Sequence, residues 1–185
     1  MTQKRGARAV LASATVATGL VAGVWYAFAC AVMPALSRSE DRTYVEVMQN
    51  INEVIENPVF FAGFFGALIL TAVSAWQLRR TPTGRWVTAA LILYVLVFLV
   101  TSAANVPLNN ELAAAGAPDN IADPGAVRES FEDPWVLWNI VRALLTTAAL
   151  VCLWRATSLL RAAHHPAGGQ TSAYLASDAG SRASR

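Results

Sequence analysis

Charged side chains are scarce in this chain: they make up 14% of its 185 residues, against roughly 25% in soluble domains. Hydrophobic residues make up 55%. They gather in four apolar runs, at about residues 9–32, 59–76, 86–106 and 135–159, each close to the ~20 residues that a spanning helix needs. The runs predict an all-α membrane protein, a bundle of four transmembrane helices, and leave no room for a soluble domain.

Other absences exclude whole classes of function. A net charge of only +2 gives no reason to expect a nucleic-acid partner. Two cysteines are too few for a disulfide framework, and Cys30 and Cys152 should lie too far apart in depth to pair. The spans contain no His, Asp or Glu, so a metal site of the usual imidazole and carboxylate kind has no ligands there.

The first apolar run also resembles a signal peptide, and "AFAC" at Cys30 resembles a lipoprotein site. We expect the run to be retained as a helix, because it exceeds a signal core of about 7–15 residues and carries aromatic residues where small ones precede cleavage. The domain is then 1–161, and the Gly/Ser-rich segment 162–185 is predicted to be a disordered cytoplasmic tail.

The loops differ in the sign of their charge. The links at 33–58 and 107–134 are acidic on balance, whereas basic residues precede span one, join spans two and three, and follow span four. The positive-inside rule therefore predicts a multi-pass protein of the cell membrane with both termini in the cytoplasm. These basic residues are Lys4, Arg5, Arg8, Arg79, Arg80, Arg85, Arg155 and Arg161.

The first acidic loop should contain a short amphipathic helix. Tyr44, Met48, Ile51 and Ile55 form one stripe at helical spacing, and Asn52 lies at its edge. The pattern fits equally a helix that covers the mouth of the bundle and one that rests on lipid headgroups. Asn57-Pro58 and Asp133-Pro134 each place a capping side chain before a proline, which predicts that spans two and four begin there.

Polar residues line one face of two spans. Trp135, Asn139, Arg142 and Thr146 share a face of span four, and on span three the same spacing joins Tyr94, Thr101 and Asn105. Phenylalanines 60, 61, 64 and 65 at the start of span two fit either an aromatic pocket or a lipid-facing belt.

Arg142 is the least expected of these residues. An arginine at the centre of a span costs roughly 2.5–3.5 kcal/mol on insertion scales, and such residues usually mark functional sites. It could instead pair with Glu56, Glu132 or Asp133, or extend to the headgroups. The N-termini of spans two and four, the positive dipole ends, are predicted near it, which favours an anion there, although the C-termini of spans one and three partly offset this effect.

Four segments in order resemble one family. "AVMPAL", "MQNINEVIENPVFF", "NVPLNNEL" and "WVLWNIVR" are similar to signature segments of the anthrone oxygenase-like family of small four-span membrane proteins. The resemblance implies oxidation of an anthrone to an anthraquinone by molecular oxygen in polyketide pathways, without metal or flavin and so without a cofactor. The matching positions are Asn50, Asn52, Asn57, Pro58, Asn105, Pro107, Asn109, Trp138, Asn139 and Arg142.

The residues suit that chemistry. A deprotonated anthrone is an aromatic enolate, which needs planar apolar walls and a positive or hydrogen-bonding group for its oxyanion. The candidate catalytic residues are Arg142, Asn139 and Asn105. The candidate substrate-binding residues are Trp138, Asn109, Asn52, Phe64 and Tyr94. The pattern does not identify the general base: Glu56 is the nearest candidate in the sequence, and no other feature supports that assignment. The alternative is a non-catalytic bundle that binds a lipid, a small molecule or a partner protein.

Charge asymmetry gives the first testable prediction. A reporter inserted in the loop at 112–126 should lie outside the cell, and one fused after Arg161 should be cytoplasmic. Protease protection of intact cells measures both. Recovery of the two reporters on the same side contradicts the four-span arrangement.

Overall fold

The computed structural model describes residues 2–162, which are almost entirely helical and contain no strand. The predicted tail therefore lies, beyond its first residue, outside the described residues. In chain order the α-helices are α1 Thr2–Ala27, α2 Met33–Leu36, α3 Asp41–Ile55, α4 Pro58–Leu78, α5 Gly84–Val100, α6 Val106–Ala114 and α7 Pro124–Ala162. A π-helical turn joins α1 to α2 at Phe28–Val32, and another joins α5 to α6 at Thr101–Asn105.

Four helical stretches are long and apolar enough to cross a membrane, which confirms the predicted fold class. They are Arg5–Leu36, Pro58–Leu78, Gly84–Ala114 and Pro124–Ala162. The long helices pack in a ring in which α1 contacts α4 and α7, and α5 contacts the same two helices from the other side. Fully buried alanines on all four helices let the backbones approach closely, as small residues do in membrane bundles. These alanines are Ala14, Ala67, Ala90 and Ala149.

The helix start predicted at Asn57-Pro58 is confirmed, because α4 begins there. The helix start predicted at Asp133-Pro134 is wrong. Asn57 caps α4 as predicted, its Oδ1 accepting from the amides of Val59 and Phe60 at 3.0 Å each. Helix α7 begins at Pro124 instead, where Asp123 Oδ1 accepts from the amide of Ala126. An identical Asp-Pro pair, ten positions before the predicted one, thus starts the helix. Pro134 lies inside the helix, and membrane helices tolerate an internal proline.

The two π-helical turns share a cause that is visible in the sequence. Each ends two residues before a proline, Pro34 or Pro107, which has no amide hydrogen to donate. The amides of Met33 and Val106 reach back five residues, to the carbonyls of Phe28 and Thr101. Both turns lie at the same end of the bundle. Turns of this kind are frequent at functional sites.

Helix α3 covers that end of the bundle, which we call the capped end. Tyr44, Val45 and Met48 are fully buried, and they pack with Leu112 of α6 and Phe131 of α7. The predicted amphipathic helix is therefore present. Of its two predicted placements, the cover over the mouth of the bundle is the one observed.

Arg128 of α7 holds the cap in place. Its guanidinium donates to Glu132 at 2.6 Å, to Asp41 at 2.9 Å and to the carbonyls of Ser37 and Ser39 at 3.0 Å. Its charged carbon also lies 4.6 Å from the ring centroid of Tyr44. Burial raises the pKa of that phenol.

Replacing Arg128 should loosen the cap. Arg128→Met removes four hydrogen bonds of a partly buried guanidinium, two to carboxylates and two to carbonyls, and we expect a loss of about 2 kcal/mol of stability. Thermal unfolding of the purified protein in detergent measures this loss. Arg38→Met, an exposed arginine in the same region, is the control. Equal unfolding temperatures for the two variants contradict the role given to Arg128.

Candidate functional site

A cavity of about 210 Å³ lies at the capped end between the helices. Its walls are mainly apolar: eight lining residues are aromatic, three are aliphatic and six are polar. The lining residues come from α1, α3, α4, α5, α6, α7, both π-helical turns and the link between α3 and α4. They are Trp25, Phe28, Ile51, Asn52, Ile55, Glu56, Phe60, Phe61, Phe64, Phe65, Phe98, Thr101, Ser102, Val106, Asn109, Trp135 and Arg142.

Arg142 lies in the wall of this cavity and is only 3% exposed. The charged carbon of its guanidinium lies 4.0 Å from the ring centroid of Trp25 and 5.5 Å from that of Trp135. Both ion pairs found within residues 2–162 belong to Arg128, so neither involves Arg142. The aromatic faces therefore stabilise the charge of Arg142. The sequence had suggested a carboxylate as one possible partner for it.

Asn139 fixes the orientation of Arg142. Its side-chain oxygen accepts from Arg142 Nη2 at 3.2 Å, and its Nδ2 donates to the carbonyl of Trp25 at 3.1 Å. One amide thereby links α7 to α1 beside the guanidinium. Below it, the hydroxyl of Thr146 donates to the carbonyl of Arg142 at 2.6 Å. The polar stripe predicted on span four is fully buried, as its spacing indicated.

Two asparagines hold the second tryptophan. Trp135 Nε1 donates to Asn109 Oδ1 at 2.8 Å, and Asn105 Nδ2 donates to the carbonyl of Trp135 at 3.5 Å. Asn105 belongs to the π-helical turn and Asn109 to α6, so the widened turn brings both toward α7. Their amides set the position of the ring that faces Arg142.

Three buried donors at the cavity have no acceptor within the described chain. They are Arg142 Nε, Asn52 Nδ2 and Trp25 Nε1, and all three residues line the cavity. A buried donor without a partner costs about 1–3 kcal/mol, and more when it is charged. A ligand that brings an acceptor oxygen, above all a negatively charged one, would offset that cost.

The remaining walls suit a flat apolar molecule. The rings of Phe60 and Phe64 are stacked at 5.8 Å with 11° between their planes, and Phe98 stacks on Phe64 at 6.1 Å and 24°. Trp25 meets Phe60 edge to face at 5.8 Å. Tyr94 supports this wall from behind, because its buried hydroxyl donates to the carbonyl of Phe64 at 3.0 Å.

The structure brings most of the predicted site residues together. Arg142, Asn52, Asn109 and Phe64 line the cavity. Asn139 and Tyr94 lie behind the cavity wall, where they bond to Arg142 and Phe64, and Asn105 bonds to the carbonyl of Trp135. Trp138 does not line the cavity: it is 38% exposed on the outside of α7.

Sequence reasoning missed several residues of the site. Trp25 was not predicted, although its ring lies closest to the guanidinium, and neither was Phe98. Trp135 was placed on the polar face of span four but not assigned a role. Phe98 lies one helical turn after Tyr94, so the spacing on span three carried a signal for it.

A second, polar hollow of about 510 Å³ adjoins the cavity, and we call it the vestibule. It shares Asn52, Glu56 and Asn109 with the cavity. The rest of its lining is Gln49, Glu53, Asn110, Ala113, Gly116 and Ala117. The site thus has an aromatic interior and a polar side.

No group of three His, Cys, Asp or Glu side chains within residues 2–162 is arranged to hold a metal ion. Cys30 and Cys152 are both free, which confirms that they do not pair.

These features define a class: a four-helix membrane bundle with a buried arginine facing an aromatic cavity. The model of a family described as anthrone oxygenase matches residues 58–152. The chain therefore belongs to the anthrone oxygenase family, as its sequence segments indicated. The match covers Asn105, Asn109, Asn139 and Arg142, but not Trp25 or α3. No curated protein and no solved structure matches the chain.

The contact between Trp25 and Arg142 can be tested by protein stability. Trp25→Leu removes the nearer of the two aromatic faces, and a desolvated cation–π contact contributes about 2 kcal/mol. We expect the free energy of unfolding to fall by about that amount, which thermal unfolding in detergent measures. Trp154→Leu, which removes a tryptophan that is 60% exposed near the other end of α7, is the control. Equal stabilities of the two variants contradict the assignment.

Proposed function

We propose that this protein is a membrane-embedded oxygenase that oxidises an apolar aromatic substrate of the anthrone type with molecular oxygen, without metal or flavin. The observation that carries the proposal is Arg142, a buried cation with an unpartnered donor in the wall of an aromatic cavity. Membership of the anthrone oxygenase family supports the same chemistry.

The reaction needs little from the protein beyond control of charge. Loss of a proton from the ring methylene leaves an aromatic enolate, and Arg142 stabilises the negative oxygen of that enolate. Molecular oxygen then adds to the carbon as a hydroperoxide, and loss of water leaves a second carbonyl. The methylene and O₂ thereby become a carbonyl and H₂O, so the substrate is oxidised by two pairs of electrons and oxygen is fully reduced.

The membrane is a suitable place for this reaction. The substrate and O₂ are both apolar, so both partition into hydrocarbon, and the cavity lies in the apolar bundle. The acidic loops and basic links support a location in the cell membrane with both termini in the cytoplasm. In that orientation the capped end faces outward.

Replacing Arg142 tests the proposal. Arg142→Met should leave membrane insertion intact, because it removes an intramembrane charge, and should lower turnover of an anthrone by about 10²- to 10³-fold. Arg142→Lys should recover only part of the activity, because an ammonium lacks the planar fork. Oxygen uptake and quinone absorbance measure the rates, and Arg80→Met at the opposite end is the control.

Three outcomes contradict the proposal. Unchanged turnover in Arg142→Met removes the role of the arginine, and loss of wild-type activity on chelation removes the metal-free mechanism. Tight binding of hydroxyanthraquinones without any turnover by the wild-type protein favours the alternative, a non-catalytic bundle that binds a small molecule.

A further inference from the structure

Glu56 lies where the aromatic cavity and the vestibule meet. It lines both spaces, and it is the one carboxylate among the residues that line the cavity. Arg142 lines the same cavity without forming an ion pair with it. A negative and a positive group thus share one cavity while each remains available to a ligand.

The backbone fixes Glu56 at this junction. Its φ of −78° and ψ of 55° are those of the central residue of an inverse γ-turn, and the amide of Asn57 donates to the carbonyl of Ile55 at 2.8 Å. The side chain of Asn57 then caps α4 and donates to the carbonyl of Val54 at 2.9 Å. The turn between α3 and α4 is held from both sides, so the position of Glu56 is preorganised.

We propose that Glu56 is the general base of the reaction and that the vestibule carries the proton to water. This inference rests on the function proposed above. The C–H bond of the ring methylene breaks, its electron pair stays on the substrate as the enolate, and the proton moves to the carboxylate of Glu56. Water in the vestibule then takes that proton. One proton returns when O₂ has added to the enolate, because the peroxide anion so formed must be protonated to give the hydroperoxide, which then loses water.

Arg142 and Glu56 have different roles in the proposed reaction. Arg142 binds the oxygen on which negative charge develops, whereas Glu56 accepts the proton from the carbon. The base is in contact with the polar side of the site, so its proton need not cross the aromatic wall. Asn52 and Asn109 also line both spaces, so amide groups lie with Glu56 at the junction of the cavity and the vestibule.

Deuterium exchange without oxygen isolates this step. Anthrone is incubated anaerobically in deuterated buffer with the purified protein, and exchange at its methylene is followed by NMR above the protein-free rate. We expect Glu56→Gln to slow exchange by at least about 10²-fold, while the Kd of a hydroxyanthraquinone changes little. Glu56→Asp, which keeps the carboxylate on a shorter side chain, should retain part of the exchange.

The control for charge is Glu53→Gln. Glu53 and Glu56 are both exposed and both line the vestibule, but only Glu56 also lines the cavity, so the Glu53→Gln variant should exchange at the wild-type rate. Wild-type exchange in Glu56→Gln, with anthrone oxidation intact, overturns the role of Glu56 alone. A wild-type protein that neither exchanges nor oxidises anthrone overturns the proposed function and this inference together.

Discussion

The site depends on keeping the charge of Arg142 inside an apolar bundle without a carboxylate. Such a charge costs roughly 2.5–3.5 kcal/mol at the centre of a span, and a desolvated cation–π contact returns about 2 kcal/mol. The near face of Trp25, the more distant face of Trp135 and the amide of Asn139 can therefore offset the cost. None of these groups is an anion, so the positive charge of Arg142 is not neutralised by a neighbour, and its Nε has no acceptor within the described residues.

The rest of the capped end can be understood from what those three groups require. Asn139 must reach the carbonyl of Trp25, which joins α1 to α7. Trp135 must be held in place, and the π-helical turn at Thr101–Asn105 brings Asn105 and Asn109 to it. Helix α3 then shields these polar contacts, and Arg128 ties that helix down at the edge, where water can reach its charges. The buried charge of Arg142 therefore lies at the cavity, whereas the partly buried charge of Arg128 holds the cap.

Helical spacing predicted which polar residues share a face of one helix. It did not predict features that depend on how neighbouring helices pack. The stripe through Asn139 and Arg142 followed from a period of 3.6 residues. Trp138 has similar spacing from both Trp135 and Arg142, yet it is partly exposed, because α1 and α5 occupy other faces of α7. Trp25 lies more than a hundred residues before Arg142, and only packing reveals their contact. Asp133-Pro134 failed because the same pair occurs earlier in the chain, and the earlier one starts the helix.

The separation of opposite charges within one cavity has a chemical consequence. If Glu56 and Arg142 formed an ion pair, each would neutralise the other, and neither would act on an uncharged substrate. In the proposed reaction they are held apart, so the carboxylate takes the proton while the guanidinium stabilises the negative charge that is left on the substrate. Electrostatic attraction is stronger in a medium of low dielectric constant, and the aromatic walls provide that medium around Arg142. The same walls would penalise a free proton, which is why the base belongs at the polar rim.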